Sequence, residues 1–184
     1  MATALARRRV LMSPDEIERA IARMAHEIVE PDDAQTGLLL IGIRRGGEAL
    51  ARRLSSKISE IRGSAPEMGF LNINLYRDDD VAHELPESEI RSEITNRTVI
   101  LVDDVLYTGR TVRAALDAVT DLGRPRTMRL AVLIDRGLRE LPIQADYVGK
   151  NIPSSRREHI DVVLSPQRSD SDEVALADED RATA

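Results

Sequence analysis

The chain has 184 residues, a formal net charge of −6 at pH 7 and no cysteine, so it suits one α/β domain without disulfides or thiolate metal sites. No run approaches the roughly 18 apolar residues of a membrane span, and the first residues lack the apolar stretch of a secretory signal. The composition predicts a cytoplasmic protein without membrane association.

The first half of the chain alternates helix and strand signals. Residues 13–16 place a capping serine before proline and glutamate, which predicts a helix start. The helix is expected to bury one apolar stripe, formed by Ile17, Ile21, Met24 and Ile28. The continuous apolar run 38–43 predicts a strand buried on both faces. Leu50, Leu54 and Ile58 then share one face of a second helix.

Strand signals dominate the second half. Residues 71–76 alternate strictly between apolar and polar, which predicts a strand with one exposed face. Residues 77–97 are polar and charged and show no clear helical or strand periodicity, as in a long functional or disordered loop. Further strands are predicted at 130–134, 146–150 and 159–164. Together these elements predict an α/β fold, a mostly parallel twisted sheet with helices on both faces.

The chain shows no internal repeat and no second domain. We expect one domain over residues 1–164, followed by an acidic tail over 165–184 that carries six acids and two arginines. The tail is expected to be mobile beyond the short apolar segment 174–176. The basic start, Arg7 to Arg9, is either a frayed terminus or an RNA-binding arm.

Residues 99–111, VILVDDVLYTGRT, form the most informative motif. Four apolar residues predict a buried strand, and Asp103 and Asp104 fall at its carboxyl end, where open α/β sheets bind ligands. The turn 107–111 lets Gly109 bring backbone amides to the start of a helix, which suits an anion. Carboxylates beside a phosphate cradle match a phosphorylated sugar. The alternative is a plain strand, turn and helix with two solvated acids.

This motif resembles the 5-phosphoribosyl 1-pyrophosphate (PRPP) signature of type I phosphoribosyltransferases. Further segments resemble one branch of that superfamily, the bifunctional pyrimidine operon attenuation regulators with uracil phosphoribosyltransferase activity. These segments are LYRDD at 75–79, GRP at 123–125 and RELPIQADYVGKNIPSS at 139–155. The similarity runs from about Ser13 to Leu164, in order.

The resemblance implies transfer of phosphoribose from PRPP to N1 of uracil, giving UMP and pyrophosphate. Mg²⁺ would be bound mainly through PRPP and water, without a protein metal cage. The implied ribose and catalytic groups are Asp103, Asp104 and, on a lid loop at 77–97, Arg77. The implied phosphate and pyrophosphate groups are Thr108, Gly109, Arg110, Thr111, Arg44 and Arg45. The implied base-binding groups are Asp135, Arg136, Tyr147 and the backbone of Val148.

One turn departs from the family pattern. Where the family has threonine-arginine-glycine, this chain has Arg45-Gly46-Gly47, so the arginine is displaced by one residue. Arg44 and Arg45 are either pyrophosphate ligands or ordinary solvated arginines. Tyr107 favours a pyrimidine, because purine phosphoribosyltransferases usually carry aspartate at this motif position.

The resemblance also implies UMP-dependent binding to the leader mRNA of pyrimidine genes, and a homo-oligomer. Arg19, Arg23 and His26 follow one another at helical spacing on a polar face. Arg139, Lys150, Arg156 and Arg157 extend this stripe as candidates for phosphate contacts. An ordinary solvated helix face is the alternative.

Four positions depart from the RNA-binding members of the family. Ala22, Pro31, Leu138 and Gln144 stand where those members carry threonine, arginine, histidine and arginine. If each contact is worth about 1 kcal/mol, RNA binding by the same mode would weaken by about three powers of ten.

Three hypotheses remain open at this point. The first is a uracil phosphoribosyltransferase of the pyrimidine regulator family. The second is a nucleotide-sensing RNA regulator with weak or vestigial catalysis, suggested by the altered turn at 45–47. The third is a phosphoribosyltransferase for another base, such as a purine, against which Tyr107 argues.

Overall fold

The computed structural model describes residues 8–31, 37–74 and 87–178. The helices and strands of these segments alternate along the chain. They are β1 (Arg9–Met12), α1 (Pro14–Val29), β2 (Leu38–Ile43), α2 (Gly47–Arg62), β3 (Glu67–Leu71), β4 (Thr98–Leu106), α3 (Arg110–Leu122), β5 (Thr127–Asp135), β6 (Tyr147–Asn151), β7 (Glu158–Val163) and β8 (Glu173–Asp178).

The start of α1 follows its local sequence. The Ser13 hydroxyl accepts a hydrogen bond from the Glu16 amide, and the Glu16 carboxylate accepts one from the Ser13 amide at 2.9 Å. This reciprocal pair satisfies two amides that the helix itself leaves unpaired. The predicted apolar stripe of α1 is fully buried, so both the helix start and its inward face are confirmed.

The main sheet has five strands in the order β3-β2-β4-β5-β6, and all neighbouring strands are parallel. Its central strands are apolar because both faces are covered. One face packs against α1 and α2, and the other packs against α3. The predicted fold, a parallel sheet with helices on both faces, is confirmed.

The edge strand β3 lies earlier in the chain than predicted. It spans Glu67–Leu71, whereas the alternating pattern indicated a strand at 71–76. Pairing with β2 sets the register, Leu39 opposite Glu67 through Ile43 opposite Leu71. Local alternation is therefore overruled by a neighbouring strand, which the sequence pattern does not reveal.

The predicted lid, 77–97, is described only in part. Residues 77–86, including Arg77, lie outside the described segments. Beyond them, Glu89 exchanges two backbone hydrogen bonds with Phe70, at 2.7 and 2.9 Å. The end of the predicted loop is thus tied to β3.

A second sheet corrects the expectations for both ends of the chain. It is three-stranded and antiparallel, in the order β1-β8-β7. The strand predicted at 159–164 therefore belongs to this sheet and not to the parallel one. The segment predicted as an acidic tail, mobile beyond 174–176, forms the central strand of this sheet through Asp178, and its Val174 and Ala175 are fully buried. Residues 179–184 lie outside the described segments.

Buried charges hold β8 against the helices. The Arg53 guanidinium on α2 pairs with Asp172 just before β8 and with Glu18 on α1. Asp172 also accepts backbone hydrogen bonds from Ser165 and Ser169, at 2.9 and 3.1 Å. Although burial acts the other way, these bonds and the Arg53 charge lower the pKa of Asp172. The acidic segment after Leu164 is therefore part of the folded core.

No helix in the described part of the chain is both long and apolar enough to cross a membrane.

Candidate active site

The two acids of the motif lie within β4, not beyond its end. The strand continues to Leu106, and Asp103 is paired with Val132 of β5. Successive strand residues point to opposite faces of the sheet. Asp103 and Asp104 accordingly line different cavities, one on each side of β4.

The first cavity lies at the start of α3 and has a volume of about 360 Å³. Its lining includes Asp103 and the complete turn from Thr108 to Thr111. Gly109 precedes α3 with a φ of 92°, a conformation that other residues rarely adopt. No side chain caps α3, and its first turn carries no acid. The Arg110 amide makes a long hydrogen bond of 3.4 Å to the Thr108 hydroxyl. The amides of this first turn and the helix dipole suit a phosphate group.

One predicted phosphate ligand has a competing partner. The Nε of Arg110 donates to Glu140 at 2.9 Å, and Glu140 lines the same cavity. A phosphate at the turn would replace this carboxylate as the partner of Arg110.

The second cavity lies between β4 and β7 and has a volume of about 550 Å³. Both cavities share Val105 and Tyr107 in their linings, so they adjoin along β4. The second cavity also contains groups that the sequence patterns did not indicate as site residues. These are Arg156, Glu158, His159 and Asp161. The strand signal at 159–164 was visible, but only the antiparallel sheet brings it over Asp104.

Burial raises the pKa of the Asp104 carboxyl above its ordinary value, although hydrogen bonds from Val105 and Asp103 oppose the shift. One carboxylate oxygen accepts the Val105 amide at 2.8 Å. The carboxylate is therefore held in a fixed position at the floor of the second cavity.

The altered turn at 44–47 packs directly on this carboxylate. A Cβ added to Gly46 would lie 2.0 Å from an Asp104 oxygen, and one added to Gly47 would lie 2.0 Å from the Val102 carbonyl oxygen. Two consecutive glycines thus let the turn approach β4. An arginine side chain at position 46 would require Asp104 to move.

The two arginines of this turn differ in their surroundings. Arg44 lies over the Phe70 ring and pairs with Glu48 at 3.2 Å and Glu89 at 3.7 Å. Arg45 is exposed and makes no ion pair with any residue that the structure describes. Of the two predicted pyrophosphate ligands, Arg45 is the one left available.

The predicted base-binding residues of β5 are both engaged. Asp135 pairs with Arg139 at 2.5 Å and accepts the Gly137 amide at 2.9 Å. Arg136 is buried, stacks 4.2 Å from the Tyr107 ring centre and donates to Ser154 at 2.8 Å. It also donates to the carbonyls of Ser155 and Glu158. Arg136 lines the second cavity and anchors the segment that leads into β7.

The predicted base-binding residues of β6 are not brought to the second cavity. Tyr147 is buried in the core beneath α1, because it lies near the amino end of its strand opposite Ala131. The carbonyls of Val148 and Gly149 accept hydrogen bonds from Arg23, at 2.9 and 2.7 Å. The base contacts expected at these two positions stay a prediction.

Three of the seven residues proposed for RNA have partners inside the molecule. Arg23 binds β6, and Lys150 donates to the Leu11 carbonyl at 2.9 Å. Arg139 donates to several carbonyls between β4 and Ile143, including that of Tyr107 at 2.9 Å. Arg19 and His26 are exposed on α1, and Arg156 and Arg157 are exposed near β7. The predicted stripe is thus reduced to these four residues.

Oxygen ligands are present, but clustered metal ligands are not. Within residues 8–31, 37–74 and 87–178, no three His, Cys, Asp or Glu side chains come together as a metal site. Asp103 and Asp104 are among the carboxylates that border the two adjoining cavities. Such a donor set suits Mg²⁺ that takes its other ligands from a phosphorylated substrate and water.

Comparison with known proteins agrees with this architecture. A family model described as the phosphoribosyl transferase domain matches residues 13–167. The bifunctional protein PyrR of Pelotomaculum thermopropionicum is 52% identical over 158 residues, covering 84% of this chain and 87% of the relative. Its counterpart from Deinococcus radiodurans is 54% identical over 158 residues, covering 84% and 86%.

A solved hypoxanthine phosphoribosyltransferase from Staphylococcus aureus superposes with a TM-score of 0.65 at 22% identity, covering 79% of this chain and 78% of that one. At this identity the likeness concerns the fold. From the family model and the curated relatives, the chain belongs to the phosphoribosyl transferase domain family and, within it, to the bifunctional PyrR proteins.

Proposed function

We propose that the chain transfers phosphoribose from PRPP to N1 of uracil, releasing pyrophosphate and forming UMP. The observation that carries this proposal is the pair of adjoining cavities along β4, one ending in an uncapped helix and the other covered by β7. The first suits a 5′-phosphate, and the second has room for a base. Asp103 lines the first cavity and Asp104 the second, so a ribose that bridges the two would meet both carboxylates.

The phosphate end is defined by backbone groups. The 5′-phosphate would accept hydrogen bonds from the amides of residues 109–111 and from the hydroxyls of Thr108 and Thr111. Since the first turn of α3 carries no acid, no carboxylate of that turn repels the phosphate. Arg110 would exchange Glu140 for the phosphate, which gives the site a way to sense an occupied cradle.

The ribose hydroxyls would donate to Asp103 and Asp104. The diphosphate would then leave toward the turn at 44–47, where Arg45 is the available cation. Mg²⁺, when bound to PRPP, would neutralise diphosphate oxygens and so make the diphosphate a better leaving group. The bond from the anomeric carbon to the diphosphate breaks, N1 of uracil bonds to that carbon, and the N1 proton is lost.

This reaction passes through a cation-like sugar, so water must be kept away. Arg136 on Tyr107 closes one wall of the second cavity, and β7 covers it. Arg77, which the resemblance assigns to a closing lid, lies outside the described segments. Its role stays a prediction.

The test is UMP formation from uracil, PRPP and Mg²⁺, with wild type beside a D103N/D104N double variant. We expect a loss of at least 100-fold in kcat/KM, because two charged hydrogen-bond acceptors for the ribose are removed. Asp117→Asn, an exposed carboxylate on α3 paired with Arg113, is the matched control and should keep full activity. Wild-type protein that turns over hypoxanthine or guanine in preference to uracil would overturn the assignment.

The relatives are called bifunctional, and we infer a second function as a regulator that binds RNA with UMP. Arg19 and His26 are the described exposed groups of the predicted stripe that remain on α1, with Arg156 and Arg157 exposed near β7. A homo-oligomer would place two such sets on one RNA, which favours oligomeric binding. Weak catalysis combined with tight binding would make this the main function.

This second function is tested with the transcribed leader of the pyrimidine genes and UMP. Arg19→Ala is expected to weaken binding several-fold and to lower the salt dependence by about one ion, as one phosphate contact does. Arg23→Ala should instead lower stability, because Arg23 holds β6 to α1. Equal binding by wild type and R19A at every salt concentration would exclude Arg19 from the RNA surface.

A further inference from the structure

The strand β7 presents a pair of side chains to the second cavity that none of the assigned roles uses. His159 and Asp161 are two residues apart on the strand, so they share one face. The His159 Nε2 lies 3.2 Å from the Asp161 Oδ1. Ile160 between them is buried in the core. The polar pair thus lines the cavity across from Asp104 and Tyr107.

The pair keeps unused hydrogen-bonding capacity. Oδ1 of Asp161 faces His159, and Oδ2 has no partner among the described residues. Arg156 lines the same cavity and makes no ion pair within those segments. Arg136 is different, because its donors already bind Ser154, Ser155 and Glu158. The cavity therefore offers an open acceptor on Asp161 and donors on His159 and Arg156, beside the carboxylates of Asp104 and Glu158, each of which already accepts a backbone amide.

These groups complement one edge of uracil. When N1 faces the ribose above Asp103 and Asp104, the opposite edge carries an acceptor oxygen, the N3–H donor and a second acceptor oxygen. The Asp161 acceptor would meet N3–H, and the donors of His159 and Arg156 would meet the oxygens. Cytosine has an unprotonated N3, so it would place an acceptor against the Asp161 carboxylate. A site built to accept the N3–H disfavours a base that lacks it.

We propose that Asp161 selects the base by accepting the N3–H of uracil, and that His159 is a positioning residue that fixes the Asp161 carboxylate. The inference rests on the proposed function, since it takes the second cavity as the base site. Stability gives no competing reason for the pair, because an ion pair this exposed contributes little.

The experiment compares Asp161→Asn with wild type by two independent readouts. The first is calorimetric binding of UMP and of CMP without PRPP. The second is kcat and KM for uracil at saturating PRPP. We expect UMP binding to weaken about tenfold, the usual loss for one hydrogen bond, and CMP binding to change far less. The uracil KM should rise about tenfold, with kcat within about threefold of wild type.

Two histidine variants test the positioning role. His159→Gln keeps a donor that can reach Asp161, and should retain most of the preference for UMP over CMP. His159→Ala removes the donor and should lose several-fold of that preference. Asp117→Asn is the control for a carboxylate-to-amide change elsewhere, and should leave both ligands unaffected. Thermal unfolding of all variants should match wild type, since both side chains are largely exposed.

The two proposals fail in different ways. If wild-type protein forms no UMP, the proposed enzymatic activity is refuted. The binding measurements with UMP and CMP still test the role of Asp161. An unchanged UMP-to-CMP preference in D161N, in protein that binds UMP, overturns the role of Asp161.

Discussion

Arg44 and Arg45 belong to the same turn, but their side chains have different surroundings. Arg44 packs on Phe70 and pairs with two acids, so it stabilises the junction of β2, β3 and α2. Arg45 is exposed and unpaired among the described residues, so it is free to meet a departing diphosphate. Of these adjacent positions, Arg44 thus has a structural role and Arg45 has the proposed pyrophosphate role.

This division predicts opposite outcomes for two alanine variants. Arg45→Ala should raise the KM for PRPP and weaken inhibition by pyrophosphate, each by about tenfold, with the unfolding free energy unchanged within about 0.5 kcal/mol. Arg44→Ala should lower the unfolding free energy by about 1 to 2 kcal/mol through lost packing and ion pairs. Steady-state kinetics and urea unfolding of both variants check this. The reverse pattern would transfer the diphosphate role to Arg44.

Which of these residues faces a ligand could be predicted only in part. The acids and the turn at 107–111 are local, because one strand and one helix start carry them all. The partners of Arg23, Arg139 and Lys150 are carbonyls distant in sequence or in loops, which charge patterns cannot show. A basic residue on a helix face therefore predicts a charge at the surface more reliably than it predicts a charge without an internal partner.

At the scale of elements, prediction succeeded where the signal was local. The helix α1 was placed by its cap and its apolar stripe, both within one segment of chain. The strand β3 was misplaced because its register depends on β2, and the segment at 173–178 was taken for a tail because its partners are β1 and β7. A strand whose register depends on partners elsewhere in the chain leaves little local trace.

Arg53, Glu18 and Asp172 form a cluster that joins α2, α1 and the start of β8. A single carboxylate variant tests its contribution to stability. Asp172→Asn leaves the Arg53 guanidinium buried with Glu18 as its remaining charged partner. Removing one partner of a buried pair typically costs about 3 to 5 kcal/mol, and Glu18 should keep the loss near the lower end. Urea unfolding at pH 7 measures it. Asp15→Asn, which breaks the exposed pair with Arg168, is the control and should cost less than about 1 kcal/mol.

The same cluster predicts how stability depends on pH. The pKa of Asp172 is lowered in the folded protein, and so is that of Glu18, whose hydrogen bonds with Lys57 and Arg53 outweigh the opposing effect of burial. The stabilisation is therefore complete above the ordinary carboxyl pKa of about 4 and is lost as pH falls through the lowered values. D172N should lose less stability than wild type between pH 5 and about pH 3. Parallel pH profiles of the two proteins would contradict the assignment.

At the scale of the whole molecule, the second sheet decides where the folded unit ends. The boundary predicted at Leu164 separates β7 from β8, yet β8 is the central strand between β1 and β7. Removing it would leave two strands without partners and would expose the positions against which Val174 and Ala175 are buried. It would also remove Asp172 from Arg53. These losses fall on the sheet that covers the second cavity, which we propose as the base site, so truncation is expected to affect folding and activity together.

Two truncated proteins test whether the folded unit ends at Leu164 or continues through β8. A protein ending at Asp178 keeps every described strand and should unfold cooperatively at the wild-type temperature, within about 2 °C. A protein ending at Leu164 loses β8 and should show no cooperative thermal transition, because several kcal/mol of buried contacts exceed a usual margin of stability. Circular dichroism melting gives the result, and UMP formation follows it. If the shorter protein melts like the longer one, β8 is dispensable, and the cover over Asp104 must be held by the remaining contacts of β7, chiefly the Arg136 anchor at Ser154, Ser155 and Glu158.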